Sequence, residues 1–143
     1  MRVLVSACLL GENCKYSGGN NRNETVLAWL ERRGAQAVPV CPEVLGGLPV
    51  PRTPAEIVDG IVTTRDGRSV DREFRRGAEM ALETAKREGV ELAVLQPRSP
   101  SCGVRQVYDG TFSGTKIDGQ GVFARLLLDS GLRVLEPEDL KEP

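Results

Sequence analysis

Histidine is missing from this chain of 143 residues. Its absence removes the commonest general base and the commonest metal ligand of proteins, and it excludes Ser-His-Asp and Cys-His catalytic groups. Acid–base chemistry must therefore come from carboxylates, lysine, tyrosine, serine acting through water, or a bound metal. Any metal site must use cysteine or oxygen ligands.

The chain also lacks an excess of positive charge, because 19 Lys and Arg residues are balanced by 20 Asp and Glu residues, for a formal net charge of -1. Such a chain has no bulk field to hold a nucleic-acid backbone, and we expect a small-molecule partner. No apolar run approaches the roughly 18 residues that would suggest a membrane span. Residues 4–8 look like the end of a lipoprotein signal but come too early in the chain for one, so we expect a cytoplasmic protein.

Strand and helix patterns alternate along the chain, whose composition is that of an ordinary globular protein. Continuous apolar runs predict buried strands at 2–7, 37–40, 92–95 and 132–135. Helical spacing predicts a helix between a cap at Asn23 and a stop at Gly34, and further helices over 71–88 and 122–128. Residues 61–64 and 69–70 are expected to form a hairpin around an Asp-Gly turn, and the Pro- and Gly-rich segment after residue 41 a shaped loop.

This alternation favours an α/β fold with a mostly parallel, Rossmann-like open sheet and helices on both faces. We expect a single domain over residues 1–143.

Three of the four cysteines, Cys8, Cys41 and Cys102, follow predicted strands. The carboxyl ends of parallel strands lie at one edge of a sheet, where ligands bind, so these thiols should converge. Cys14 lies in the loop after the first strand and could reach the same crevice or its rim.

Four uses of these thiols compete. They could be buried and inert, as free cysteines often are. Disulfides are disfavoured in a reducing compartment, and structural zinc sites usually show paired short spacings that this sequence lacks. An iron–sulfur cluster accepts cysteines from separate segments, and soft thiolates suit it. Spacing alone does not decide among these uses.

Four loop motifs, in order along nearly the whole chain, resemble the thiouracil desulfidase family. They are Ser-Ala-Cys-Leu-Leu-Gly at 6–11 with Cys-Lys-Tyr at 14–16, Cys-Pro-Glu-Val-Leu-Gly-Gly-Leu at 41–48 continuing to 56, Ser-Pro-Ser-Cys-Gly at 99–103, and Tyr-Asp-Gly-Thr-Phe-Ser-Gly at 108–114 with Gly-Gln-Gly-Val at 119–122. Two positions depart from the family pattern: Ser17 stands where an acidic residue is common, and the segment 96–98 replaces a usual Leu-Lys pair. These departures concern substrate contacts more than the cluster.

The resemblance implies a [4Fe-4S] cluster held by Cys8, Cys41 and Cys102, and hydrolysis of a thiocarbonyl to a carbonyl without net redox change. It further implies that Glu43 and Ser99 are the catalytic pair. The implied substrate is a small thiolated pyrimidine, 2- or 4-thiouracil or its nucleoside or nucleotide.

Ser101 and Arg52 are expected to bind substrate, although Arg52 could equally pair with Glu56 or with a backbone carbonyl. Tyr108 and Phe112 would either stack on a pyrimidine or pack in the core. The rival hypothesis is a non-catalytic iron–sulfur or metal-binding module, acting as a redox sensor or sulfur carrier, but such a module has no use for a carboxylate so close to a ligand cysteine.

Overall fold

A four-stranded parallel sheet forms the centre of the computed structural model, which describes residues 1–140. Its strands are β1 (Arg2–Ser6), β2 (Gln36–Val40), β5 (Leu92–Val94) and β8 (Arg133–Leu135), in the spatial order β2-β1-β5-β8. All neighbouring pairs are parallel, so the carboxyl ends of the four strands share one edge. The last part of the predicted domain, 141–143, lies outside the described residues.

Helices cover both faces of the sheet, as the alternating pattern predicts. On one face α1 (Glu24–Arg32) packs Val26 and Trp29 against Val3 and Val5 of β1. The other face buries Leu4 beneath two helices, α3 (Asp71–Glu88) and α4 (Val122–Asp129). No helix within residues 1–140 is both long and apolar enough to cross a membrane.

The termini of two helices follow the predicted signals. Asn23 caps α1, because its side-chain oxygen accepts a hydrogen bond of 3.1 Å from the amide of Val26. Gly89 ends α3 in the left-handed conformation, at φ 61°, which glycine adopts without steric cost.

The predicted pairing of 61–64 with 69–70 is present but short: Thr63 and Ser69 form an antiparallel bridge, and the amide of Val70 donates to the carbonyl of Val62 at 2.9 Å. A longer hairpin that had not been predicted joins β3 (Ala55–Val58) to β4 (Ile61–Thr64) around Asp59 and Gly60. Both turn residues have positive φ, 50° and 80°, which suits a two-residue hairpin turn. The sequence contains two Asp-Gly pairs here, and only the first lies between two strands of equal length.

Three further short elements had not been predicted. A second hairpin joins β6 (Gln106–Tyr108) to β7 (Lys116–Asp118). A one-turn helix, α2 (Pro42–Leu45), begins where only a loop was expected, directly after β2 and Cys41, with Pro42 at its first position. Elements of three or four residues carry too little periodicity to be read from sequence.

Two glycines allow α2 to lie directly against α3. A β-carbon on Gly77 of α3 would stand 1.7 Å from the carbonyl oxygen of Pro42, and one on Gly46 would stand 1.9 Å from that of Glu73. The two backbones therefore meet without intervening side chains. This contact determines where the first residues after β2 lie.

Candidate active site

A cavity of about 600 Å³ lies at the carboxyl edge of the sheet, and all four cysteines line it. β1 delivers Cys8, β2 delivers Cys41, and the loop between β1 and α1 carries Cys14. Cys102 reaches the cavity through the loop that follows β5, in agreement with its predicted position after a strand. A larger polar groove beside the 96–98 segment contains no cysteine among its described lining residues.

Cys8 is nearly buried, at 8% exposure, in a 3₁₀ turn that continues from β1. The side-chain amide of Asn21 lies 3.5 Å from its sulfur, and the backbone amide of Asn21 donates to its carbonyl at 3.0 Å. Burial raises the pKa of the Cys8 thiol, and the nearby Cys41 and Glu43 add to the rise. Asn21 was missed in the sequence because it ends a Gly- and Asn-rich stretch that indicates only a turn.

Cys41 and Cys14 interact directly. The Cys41 sulfur lies 3.7 Å from the carbonyl oxygen of Cys14. A hydrogen bond from the Cys14 thiol lowers the pKa of Cys41 to about 7, although burial opposes this, and the same contact raises the pKa of Cys14. Of the two neighbouring thiols, Cys41 therefore forms the thiolate first.

Cys102 is buried, and its surroundings disfavour charge. Burial is the main reason that its pKa rises to about 12, and the charge of Glu43 adds to the effect. The Ser101 hydroxyl lies 3.5 Å from its sulfur. The charge of Glu43 raises the pKa of both Cys8 and Cys102, which indicates that these predicted ligands and the predicted base lie in one site.

The donor set fits an iron–sulfur cluster better than a single metal ion. In the part of the chain that the structure describes, no three His, Cys, Asp or Glu side chains are arranged to hold one ion. A cluster binds each thiolate to a different iron atom, so its cysteines stand further apart than the ligands of one ion, and they arrive from separate segments. Because the pKa values of Cys8 and Cys102 are raised, metal binding there must release protons.

Glu43 projects from α2 beside these thiols, with its side chain 17% exposed. Its carboxylate lies 3.4 Å from the guanidinium of Arg52. Burial raises the pKa of Glu43, while the charge of Arg52 and a hydrogen bond from Ser101 oppose that rise.

Arg52 uses its remaining donors on the backbone of two loops. Its guanidinium donates to the carbonyl of Cys14 at 2.9 Å and to that of Pro49 at 3.2 Å, and its side chain is only 7% exposed. The predicted pairing with a carbonyl is thus present. Glu56 instead accepts from the amides of Gly110 and Phe112, at 3.0 and 3.1 Å.

The Ser99 hydroxyl is held by the backbone of its own loop. It accepts hydrogen bonds from the amides of Ser101 and Cys102, each at 3.1 Å, and its oxygen lies 3.0 Å from that of Ser101. Ser99 lines the cavity, whereas Ser101 lies behind it with no exposed surface.

Aromatic and basic side chains complete the cavity wall. Tyr108 and Phe112 both line it, which places them where a planar ring could stack, and the guanidinium of Arg65 lies 5.9 Å from the ring centre of Phe112. Phe112 and Arg98 have positive φ, 57° and 64°, which side chains rarely adopt. Four basic residues of the wall had not been predicted as site residues, because they lie in separate loops with no common spacing: Lys15, Arg65, Arg68 and Arg98.

Comparisons with known proteins cover nearly the whole chain. Residues 3–139 match the 2-thiouracil desulfurase family. The uncharacterized protein YbbK of Bacillus subtilis (strain 168) is 38% identical over an alignment of 150 positions, which covers 98% of each chain. A solved structure of the [4Fe-4S]-dependent thiouracil desulfidase TudS is similar with a TM-score of 0.90 and 41% identity, over 97% of this chain and 92% of that one.

Proposed function

This chain belongs to the 2-thiouracil desulfurase family, and from that membership we propose that it is a [4Fe-4S]-dependent desulfidase that hydrolyses thiouracil to uracil and sulfide. The observation that carries the proposal is the meeting, in one cavity, of three thiols from separate segments with the largely buried carboxylate of Glu43. The similarity to TudS, which covers nearly the full length of both chains, supports the proposal.

Cys8, Cys41 and Cys102 would hold the cluster. Bound there, it supplies a soft, Lewis-acidic iron for the thiocarbonyl sulfur, which makes the neighbouring carbon more electrophilic. Cys14 is left out of this ligand set; its carbonyl oxygen lies 3.7 Å from the Cys41 sulfur and accepts a hydrogen bond from Arg52.

Glu43 would take the proton of the attacking water. Burial raises the pKa of Glu43 toward neutral pH, and a general base is most effective when its pKa lies near the working pH. The charge of Arg52 opposes this rise and favours the ionised carboxylate. Ser99, whose oxygen already accepts two backbone hydrogen bonds, lines the same cavity as this carboxylate and would be the second member of the pair.

The substrate we propose is a small thiolated pyrimidine: 2- or 4-thiouracil, or the corresponding nucleoside or nucleotide. The size of the cavity, its aromatic wall and the chain's net charge of -1 support a small ligand rather than a polymer. We further propose that residues 1–143 act as one domain in the cytoplasm, where a reducing environment keeps thiols such as the four free cysteines reduced.

The ligand set is tested by iron and sulfide analysis of anaerobically reconstituted variants. Serine substitution of Cys8, Cys41 or Cys102 should abolish cluster retention, whereas Cys14→Ser should retain it. Full iron in any of the first three variants, or loss of iron in Cys14→Ser alone, would show that the ligand set is wrong.

The catalytic pair is tested by following loss of thiouracil absorbance under anaerobic conditions, with iron measured in parallel. Glu43→Gln and Ser99→Ala should keep the cluster and lose turnover, by about 10²–10⁴-fold for the base. Glu79→Gln, an exposed carboxylate on α3, is the matched control and should keep both. If the cluster-loaded natural protein leaves every thiolated base, nucleoside and nucleotide untouched, the sensor or carrier hypothesis replaces this one.

A further inference from the structure

Ser101 is a fully buried polar residue whose hydroxyl contacts the proposed catalytic Ser99 and the proposed ligand Cys102, and the proposed reaction does not yet use it. Its backbone is fixed, because its carbonyl oxygen accepts from the amides of Phe123 and Ala124, at 2.8 and 3.0 Å, where α4 begins. A β-carbon on Gly121 would stand 2.5 Å from the carbonyl carbon of Ser101, so the helix backbone also presses against it. This anchoring leaves the hydroxyl of Ser101 little freedom of position.

The hydrogen bond between Ser99 and Ser101 has a direction. A serine hydroxyl has one hydrogen and two acceptor lone pairs. The Ser99 oxygen already accepts from two amides, those of Ser101 and Cys102. Its own hydrogen must therefore be the one donated across the 3.0 Å contact, and the Ser101 oxygen accepts it.

Ser101 in turn donates its single hydrogen to a neighbouring sulfur. Its hydroxyl lies 3.5 Å from the sulfur of Cys102, the proposed cluster ligand that follows it in the sequence. The chain of donation thus runs from Ser99 through Ser101 to Cys102.

We propose that Ser101 is a positioning residue: it accepts the hydrogen of the Ser99 hydroxyl, donates its own to the Cys102 sulfur, and so fixes the Ser99 hydroxyl in one orientation at the cavity wall. This inference rests on the desulfidase function proposed above. It assigns Ser101 a role behind the site rather than in contact with substrate, because the side chain has no exposed surface.

The test is a double-mutant cycle on the reconstituted protein with 2-thiouracil as substrate. Ser101→Ala should lower kcat by up to about 10²-fold, with KM, iron content and thermal midpoint unchanged. The double variant Ser99→Ala with Ser101→Ala should lose no more than the worse single variant, because groups that act as a unit are non-additive. Ser130→Ala, which removes a hydroxyl bonded to the Leu127 carbonyl at the far end of α4, is the control and should keep kcat.

Ser101→Thr keeps the hydroxyl and should restore kcat to within about tenfold of the natural protein. If Ser101→Ala does not fold, the kcat of Ser101→Thr provides the test. Unchanged kcat in Ser101→Ala, losses that multiply in the double variant, or a fall in kcat for Ser101→Thr with fold and iron intact would each overturn the inference. An inactive natural protein that holds a full cluster would instead defeat the proposed function, so the two failures are distinguishable.

Discussion

Replacing Gly77 by alanine tests the backbone contact that positions the candidate site. In the middle of a helix, Gly→Ala ordinarily stabilises a protein by about 1 kcal/mol through helix propensity. Here the new β-carbon would stand 1.7 Å from the Pro42 carbonyl oxygen, whereas ordinary van der Waals contact begins at 3.4 Å. The difference, 1.7 Å, must be met by moving α2 away from α3.

The cost of that movement should outweigh the gain in propensity. Overpacking of a core typically costs about 1–3 kcal/mol, and a clash between two backbones cannot be relieved by a rotamer change, so the upper part of that range applies. The net loss is about 1–2 kcal/mol, which in a chain of this length lowers the thermal midpoint by about 2–8 °C. Cys41 and Glu43 flank Pro42 and would move with it, so iron retention should fall and turnover should drop about 10²-fold.

The measurements are thermal unfolding of the cluster-free chain, and iron content with turnover after reconstitution. Gly119→Ala is the matched control, because its β-carbon would meet only the Val107 side chain, at 3.4 Å. A Gly77→Ala variant that unfolds at a higher temperature and holds full iron would refute the reasoning.

Three further predictions concern single side chains. Arg52→Lys keeps the charge, but a lysine cannot contact two backbone carbonyls and the Glu43 carboxylate together. We therefore expect kcat to fall about tenfold while KM for free thiouracil stays constant. A rise in KM alone would instead indicate that Arg52 contacts the substrate. In the cluster-free chain, iodoacetamide should modify Cys41 before Cys102, and the rate at Cys41 should rise as the pH passes about 7, because a thiol becomes a reactive thiolate above its pKa. Cys14→Ala should shift this rise to higher pH. Peptide mass spectrometry measures the order of modification, and modification of Cys102 before Cys41 would contradict the prediction. Asn23→Ala should lower the free energy of unfolding by about 1 kcal/mol through loss of the α1 cap, measured by urea unfolding, with no change in iron content.

Much of the fold could be predicted because its signals are local. The four central strands are continuous apolar runs, and α3 has an apolar stripe that ends at Gly89, so neither needs knowledge of distant residues. Parallel strands then share a carboxyl edge by geometry, which explains why the structure brings Cys8, Cys41 and Cys102 into one cavity. The short elements, such as β3 and α2, lacked enough residues to show a period.

The interactions around the candidate site could not be predicted in the same way. Arg52 could equally have paired with Glu56, and only the folded loops bring its guanidinium to Glu43 and to the Cys14 carbonyl. The contact between Cys14 and Cys41 joins residues 27 positions apart.

The sequence by itself determined the α/β class, the elements of the parallel sheet and the edge at which its chemistry collects, because residue periodicity and strand direction are properties of short segments. Only the tertiary structure decided that α2 meets α3 backbone to backbone, that Glu43 forms an ion pair with Arg52, and that Ser101 lies behind Ser99. Each of these depends on where a loop comes to rest against elements far along the chain. No local pattern encodes that position, because it follows from the packing of the whole core.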